Sequence, residues 1–501
     1  MQGKQLTLVI VSLLVVVLSV SLAYFTAQII GKGKDVSVTS ANLQIVSTDT
    51  DGEIAGADIE PGWQKTKTFT IENKSKDTYK YNIVIKDLLN TFVTEGNLQY
   101  KITSANNGYN MTEFKDVPKS ETAKDTILAY SVSIPVGVTQ SYTVEFKYSN
   151  DESVDQSDDM GKKLSGKLFI TEGTLATLLS QILKDNPTRN TRDTYDAVFT
   201  NNTTGTLFTA TEKNVHNTTD TTVYYYAGNT TNNWVKFAGY YWRIIRTNAD
   251  GSIRMLYSGT SHDTTSGYLS TSTSVFNSSA NSPKYVGYMY GNDDSSLLNA
   301  RTNTNNSTIK TAIDNWYASN MTSYTKYLST IAVYCNDRTE ETSGTYNTGN
   351  TTFYYAPRAR AYSYAPTYDC TEASDAFSAD NTSAKLTYPI ALMTVDEIMR
   401  AGGKGSTSLS SPYAWYYLNS ANGSITGGTY WLLLSPDRLN GGRADVFIVY
   451  GSSYPGYLGS NGVAGPGAVR PAISLKSCIK YSTGDGTAEN PYTILETSSG
   501  C

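Results

Sequence analysis

The period of apolar and polar positions changes along this chain, and each change marks an element or a boundary. From Leu6 to Phe25 no charge interrupts the run LTLVIVSLLVVVLSVSLAYF, which is long enough to cross a bilayer as a helix. Beyond it the period becomes two. Tyr79, Tyr81, Ile83 and Ile85 alternate with Lys80, Asn82, Val84 and Lys86, and Tyr142, Val144, Phe146 and Tyr148 alternate with Thr143, Glu145 and Lys147. Both patterns predict half-buried strands. Further strands are expected at 36–46, 66–72, 100–103, 128–134 and 164–170, separated by turn residues such as Pro61-Gly62 and Pro135-Val136-Gly137. Short strands in this number predict an all-β sandwich over residues 36–172, a stalk domain behind the N-terminal segment 1–30.

The spacing then turns helical. Leu175, Leu178, Leu179, Ile182 and Leu183 share one stripe and Asn186-Pro187 ends it, so residues 173–205 read as an amphipathic helix and linker. Its apolar face is expected to pack between two domains, with self-association as the alternative. Residues 206–495 predict a mixed α+β domain. Trp242–Thr247 and Ser252–Tyr257 read as a hairpin around Asn248-Ala249-Asp250-Gly251. Ser307–Tyr317 carries Ile309, Ile313, Trp316 and Tyr317 at helical spacing, and Thr394-Val395-Asp396-Glu397 is a capping box before a helix that Gly402-Gly403 ends. The tail closes on the strand-like AVRPAISLK.

Composition narrows the function. Only 17% of the 501 residues are charged and the net charge is -5, so no broad basic surface exists to neutralise phosphates, and nucleic acid is not an expected partner. Ser, Thr, Asn, Gly and 39 tyrosines dominate instead. The apolar run serves export: everything after it is water-soluble, so the domains are expected outside the cell. The run is either removed after Ala23, behind the small residues of Ser21-Leu22-Ala23, or kept as a membrane anchor. No cysteine beside it could carry a lipid, no sortase-type LPxTG sequence follows, and the acidic residue of a type IV pilin is missing. The four cysteines, Cys335, Cys370, Cys478 and Cys501, lack the close paired spacing of zinc or thioredoxin sites. In an oxidising space they are expected to pair Cys335–Cys370 and Cys478–Cys501, reduced thiols being the alternative. No metal or cofactor is called for.

The pieces AYFTAQ and IEPGWQKTKTFTIENKS resemble the start of the camelysin-like and biofilm-fibre proteins of Gram-positive bacteria, which implies an exported β-sandwich. A protease role is not carried over, because no histidine precedes His216. The order YWRII, YWLLLSP and VRPAISLK resembles exported bacterial domains of C-type-lectin-like fold, related to the sulfatase-activating enzymes. That family includes the variable proteins of diversity-generating retroelements, in which adenine-directed mutagenesis recodes asparagine codons. The 32 residues from Asp437 to Ala468 contain no Lys, Glu, Gln, Met or Trp, the five residues that a randomised codon ending in a pyrimidine cannot encode. Ordinary glycine-rich loop composition is the competing explanation.

A ligand-binding face is accordingly expected at Asp437, Arg438, Leu439, Asn440, Arg443, Asp445, Tyr450, Ser452, Ser453, Tyr454, Tyr457, Ser460, Asn461 and Pro466. Tyrosines give rigid amphipathic contact, serines and asparagines give adaptable hydrogen bonds, and arginines give charged anchors. Val446, Phe447 and Val449 are expected in the core, with Trp431 and Arg470 bracing the framework. Catalysis is not expected. No cysteine lies between Cys370 and Cys478 to support sulfatase-activating chemistry, and His216 and His262 sit in polar loop sequence. The EPN, QPD and WND motifs of calcium-dependent lectins are missing; Asp293-Asp294 and Asp485-Gly486 are acidic loops without that pattern. The leading expectation is a surface-displayed adhesion protein whose partner is a protein or glycan on another cell, phage or host surface. A structural subunit of a surface fibre and a secreted hydrolase are the alternatives.

Overall fold

A computed structural model describes residues 26–28, 36–40, 43–47, 54–55, 59–74, 76–173, 176–199, 205–262, 267–269, 274–341, 345–407, 430–451, 454, 456–497 and 500–501, with backbone alone before residue 59 and at 172. The chain divides into two compact units, Met1–Leu175 and Ala176–Cys501. The expected membrane-length segment lies outside the described residues. Among the described residues no helix is long and apolar enough to cross a membrane.

The first unit is built of strands. β1 (Thr26–Gln28), β2 (Val36–Ser40), β3 (Leu43–Ser47), β4 (Ile54–Ala55) and β5 (Gln64–Glu72) are followed by β6 (Tyr79–Asn90) and β7 (Leu98–Ser104). β8 (Lys115–Asp116), β9 (Ser120–Ile134), β10 (Thr139–Tyr148) and β11 (Leu164–Glu172) complete it. One sheet runs β1-β11-β6-β9 with β4 also on β11, and a second runs β5-β10-β7-β8. β10 keeps the predicted alternation: Tyr142, Val144, Phe146 and Tyr148 are buried while Thr143, Glu145 and Lys147 are not. They share one core with Phe69 and Ile71 of β5 and with Tyr81, Ile83, Ile85, Leu168 and Ile170 of the other sheet. Burying such side chains contributes roughly 1.5–3 kcal/mol each.

Two details depart from the alternation. The single strand expected at 36–46 is a hairpin, β2 pairing with β3 from Val36↔Ser47 to Ser40↔Leu43, with the turn former Asn42 between them in sequence. On β6, Asn82 and Val84 are buried although the pattern assigns them to solvent. β9 runs beside them with shifted register, and the Asn82 carboxamide oxygen accepts the Ser131 amide at 2.8 Å.

In the second unit α1 (Leu178–Asp185) starts at Thr177, whose side chain accepts the Ser180 amide. Leu178 and Ile182 enter the main core of this unit, and β12 (Thr188–Asn190) pairs in parallel with β13 (Thr206–Asn214). From Ala176 on, the segment expected as a connector is therefore part of the second unit, because Leu178 and Ile182 of its apolar stripe find partners there. β14 (Asn217–Tyr225), β15 (Trp234–Phe237), β16 (Tyr240–Thr247) and β17 (Ile253–Tyr257) follow. β16 and β17 form the predicted hairpin, closed at Gly251 with φ +76°. α2 (Thr308–Asn320) begins at its cap Ser307 as its periodicity foretells.

After α2 come β18 (Phe353–Tyr354), α3 (Ala356–Ser363), β19 (Ile390–Leu392) and α4 (Val395–Ala401). Both halves of the α4 capping box are made. The remaining strands are β20 (Tyr430–Asn440), β21 (Arg443–Tyr450), β22 (Leu458–Gly462), β23 (Pro471–Leu475), β24 (Tyr481–Thr483) and β25 (Tyr492–Ile494). The larger sheet passes β12-β13-β14-β16-β15-β25-β24, with β17, β23 and β19 branching from β16. Parallel pairing of β15 with β25 ties the start of the unit to its end. A smaller sheet, β18-β20-β21-β22, carries the residues expected to bind.

Candidate functional site: the small sheet of the second unit

β20 and β21 are apolar on both faces at their centres, so the hairpin is an embedded scaffold. Trp431–Leu434 and Ala444–Val449 are all buried, which places Val446, Phe447 and Val449 in the core as expected but without the alternation of a half-exposed strand. Gly441 and Gly442 have φ of +56° and +79°, the paired positive values of a two-residue turn matched to strand twist. The signal Asn440-Gly441-Gly442 between apolar runs could have located this hairpin from sequence. Arg470 is fully buried over the Trp431 ring at 4.8 Å and donates to the Tyr257 and Gly267 carbonyls. Both act as framework.

The hairpin separates the expected face into two ends. Asn440 pairs with Arg443 at one end of β21 and Tyr430 pairs with Tyr450 at the other. Seven residue steps lie between Arg443 and Tyr450, roughly 23 Å of extended chain.

At the far end four tyrosines meet. Tyr450 lies 6.0 Å from Tyr430, 5.8 Å from Tyr454 and 5.4 Å from Tyr457, centroid to centroid, all in edge-to-face contact. Tyr454 is 57% exposed. A Cβ at Gly459 would stand 2.9 Å from the Tyr457 ring and 3.0 Å from that of Tyr450, so glycine is what lets the rings lie on the strand. The Asn461 amide donates to the Tyr430 hydroxyl at 2.6 Å. Ser460 and Asn461 are half-buried and Pro466 is exposed. Ser452 and Ser453 lie outside the described residues.

At the turn end the chemistry is ionic. Asp437 and Asp445 are buried, as is Leu439. These three are not surface contacts: β20 and β21 turn them inward, Leu439 into the core and the carboxylates onto arginines. Arg358 Nη1 meets Asp437 at 2.8 Å, Arg438 Nε meets Asp445 at 3.0 Å, and Arg443 Nε meets Asp445 at 2.8 Å. Burial pushes the Asp437 carboxyl above its ordinary value, against the pull of Arg358. The bond to Asp445 holds the Arg443 guanidinium above its usual value. Asn440 is exposed.

Several residues of these clusters are absent from the expected face. Tyr430 closes the tyrosine group. Arg358 lies over the Tyr354 and Tyr362 rings at 4.6 Å each, on α3. Arg358 and Tyr362 stand four residues apart and could have been read as one stripe of a helix, with Pro357 admissible in its first turn.

Elsewhere in the unit, Glu397 at the start of α4 accepts Arg246 Nε at 3.0 Å and Arg254 Nη1 at 2.7 Å, and Glu212 takes Arg246 Nη1 at 2.7 Å. Arg246, Arg254 and Glu397, with Arg360, Asp337 and Asp396, line a polar cavity beside Cys335 and Cys370. Those two cysteines form a disulfide across 35 residues and Cys478–Cys501 closes another across 23, both as expected. His216 is not merely a solvated loop residue: its Nε2 lies 2.9 Å from Ser378 Oγ. That oxygen also accepts the backbone N–H of Asn381, which closes the 378–381 turn, and Ser378 is buried, so His216 ties the β13–β14 turn to it. His262 rests 5.9 Å from the Tyr241 ring.

No protein-family model matches the chain, and no curated protein does. Among solved structures, the crystal structure of a ruminal GH26 endo-beta-1,4-mannanase is similar at 14% identity with a TM-score of 0.16. The match covers 32% of this chain and 28% of the mannanase, and a likeness at that level carries no argument.

Proposed function

We propose that the second unit is the binding head of a surface-displayed or secreted adhesion protein, and that the tyrosine cluster around Tyr450 makes its principal contact with a protein or glycan ligand. Two disulfides fit a secreted or extracellular protein. One observation carries the binding assignment: Tyr430, Tyr450, Tyr454 and Tyr457 group at the end of a buried hairpin, ring against ring, with Tyr454 open to solvent. Aromatic rings fixed before contact lose little entropy on binding, which is why such groups anchor interfaces.

The resemblance to C-type-lectin-like variable proteins agrees with a head whose loops differ while its scaffold stays fixed. Packing already accounts for part of the composition of 437–468, since Leu439, Ala444–Val449, Leu458 and Val463 are buried there. Diversification of this site would have to act at exposed positions, and its test is the flanking DNA, which would then hold a near-repeat of the codons for Trp431 to Ser474 beside a reverse-transcriptase gene.

The direct test displays the purified protein on arrays of glycans and cell-surface proteins. Tyr454→Ala and Tyr457→Ala together should abolish the signals that the native protein gives with proteins and uncharged glycans while leaving Tm in place. Retained binding in that folded variant would remove the assignment.

A further inference from the structure

The turn end of the small sheet offers a second site of different chemistry, which stands independently of the tyrosine cluster. Two buried carboxylates, Asp437 and Asp445, hold three arginines from behind. Arg438 bridges them, its Nε 3.0 Å from Asp445 and 3.4 Å from Asp437. Arg443 gives Nε and Nη2 to Asp445 at 2.8 and 3.2 Å. Arg358 gives only Nη1 to Asp437. Among the described residues, both terminal nitrogens of Arg438, Nη1 of Arg443 and the Nη2 of Arg358 are bonded to nothing.

The side chains of Arg358, Arg438 and Arg443 are 20%, 26% and 51% exposed. Three cations against two carboxylates leave one positive charge in excess. The inward bonds fix the guanidinium planes, so ordering these long side chains adds little cost when a ligand arrives. A fixed fork with free N–H groups matches the two oxygens of a carboxylate. Beside it Tyr362, 46% exposed, lies against Arg358 and presents aromatic surface.

We infer that Arg358, Arg438 and Arg443 form a subsite for the carboxylate of an acidic sugar, with the exposed Tyr362 ring supporting the pyranose. Asp437 and Asp445 are positioning residues. A rigid ring bearing its carboxylate suits a fixed fork next to an aromatic surface better than the flexible side chain of an acidic peptide does.

Calorimetry of the full chain with oligogalacturonate, with its methyl ester and with polyglutamate tests this. Oligogalacturonate should bind, and both the ester and the Arg438→Gln/Arg443→Gln variant should bind about tenfold or more weakly. Leu298→Ala, exposed and outside both the arginine and the tyrosine groups, should bind it normally. Should the double variant unfold, Arg443→Gln on the most exposed arginine, together with Tyr362→Ala, carries the same expectation. No binding by the native protein, equal binding of the ester, or undiminished binding by the folded variants would overturn the site and leave the arginines as a structural brace. Polyglutamate binding as tightly as oligogalacturonate would overturn the sugar assignment.

Discussion

In the sandwich, the described ion pairs lie at the surface: Lys74–Glu72 joins side chains 43% and 35% exposed, and Lys119–Glu95 is more open still. In the second unit, Arg246, Arg254, Glu212 and Glu397 are each 1–3% exposed and Arg338–Asp375 is equally buried. Most polar groups inside the sandwich are neutral, as where the Tyr81 hydroxyl donates to Gln140 at 2.6 Å, and the buried Asp159 carboxylate accepts the Val93 amide and the Tyr148 hydroxyl. Stranding a buried neutral group costs about 1–3 kcal/mol, and stranding a buried charge by breaking its ion pair costs about 3–5 kcal/mol. The difference locates the fragile points of the molecule.

Glu397→Ala gives the largest expected effect, since it leaves Arg246 and Arg254 buried with too little opposing charge. It should cost about 3–5 kcal/mol, read as a lower denaturant midpoint for the second unit with the transition of the sandwich unmoved. A shift of both transitions together would break the comparison. Next, Cys335→Ser with Cys370→Ser should cost about 2–4 kcal/mol and act on the second unit alone. Alkylation of both cysteines in native surface protein would show that the bond does not form there.

Thr394→Ala removes the oxygen that accepts the Glu397 amide at 3.2 Å and should cost about 1 kcal/mol in a thermal melt. Asp337 sharpens the electrostatic side. Burial pushes its carboxyl up, but Arg360 at 2.8 Å outweighs this and holds it below the ordinary 3.8. A depressed folded value stabilises above the unfolded value and is lost as pH falls through the folded one. The advantage of the native protein over Asp337→Asn should therefore shrink as pH falls from about 5 through 3.8 and below it. An advantage that grows on acidification would reverse the assigned sign. Tyr454→Ala is the smallest, within about 0.5 kcal/mol, because its ring faces water.

Local pattern reads well where a strand has one wet face. The β10 alternation, the Ser307 cap, the Thr394–Glu397 box and the hairpin at Gly251 are each written within a dozen residues, because each depends on neighbours in the chain. β20 and β21 are buried on both faces, so no alternation marked which of their side chains meet solvent, and Asp437, Leu439 and Asp445 were expected outside.

By itself, then, the sequence determined the β-rich first unit and the mixed second unit, and it pointed to the framework role of Trp431 and Arg470 and to a cysteine pairing that it left open against reduced thiols. Only the tertiary structure decided that α1 belongs to the second unit, that Arg358 joins Arg438 and Arg443, and that the tyrosines stand a strand's length away from them. The physical reason is range. Capping and alternation act over a few bonds, whereas Arg358–Asp437 and Arg246–Glu397 join residues 79 and 151 positions apart, and only the packed sheets bring those together.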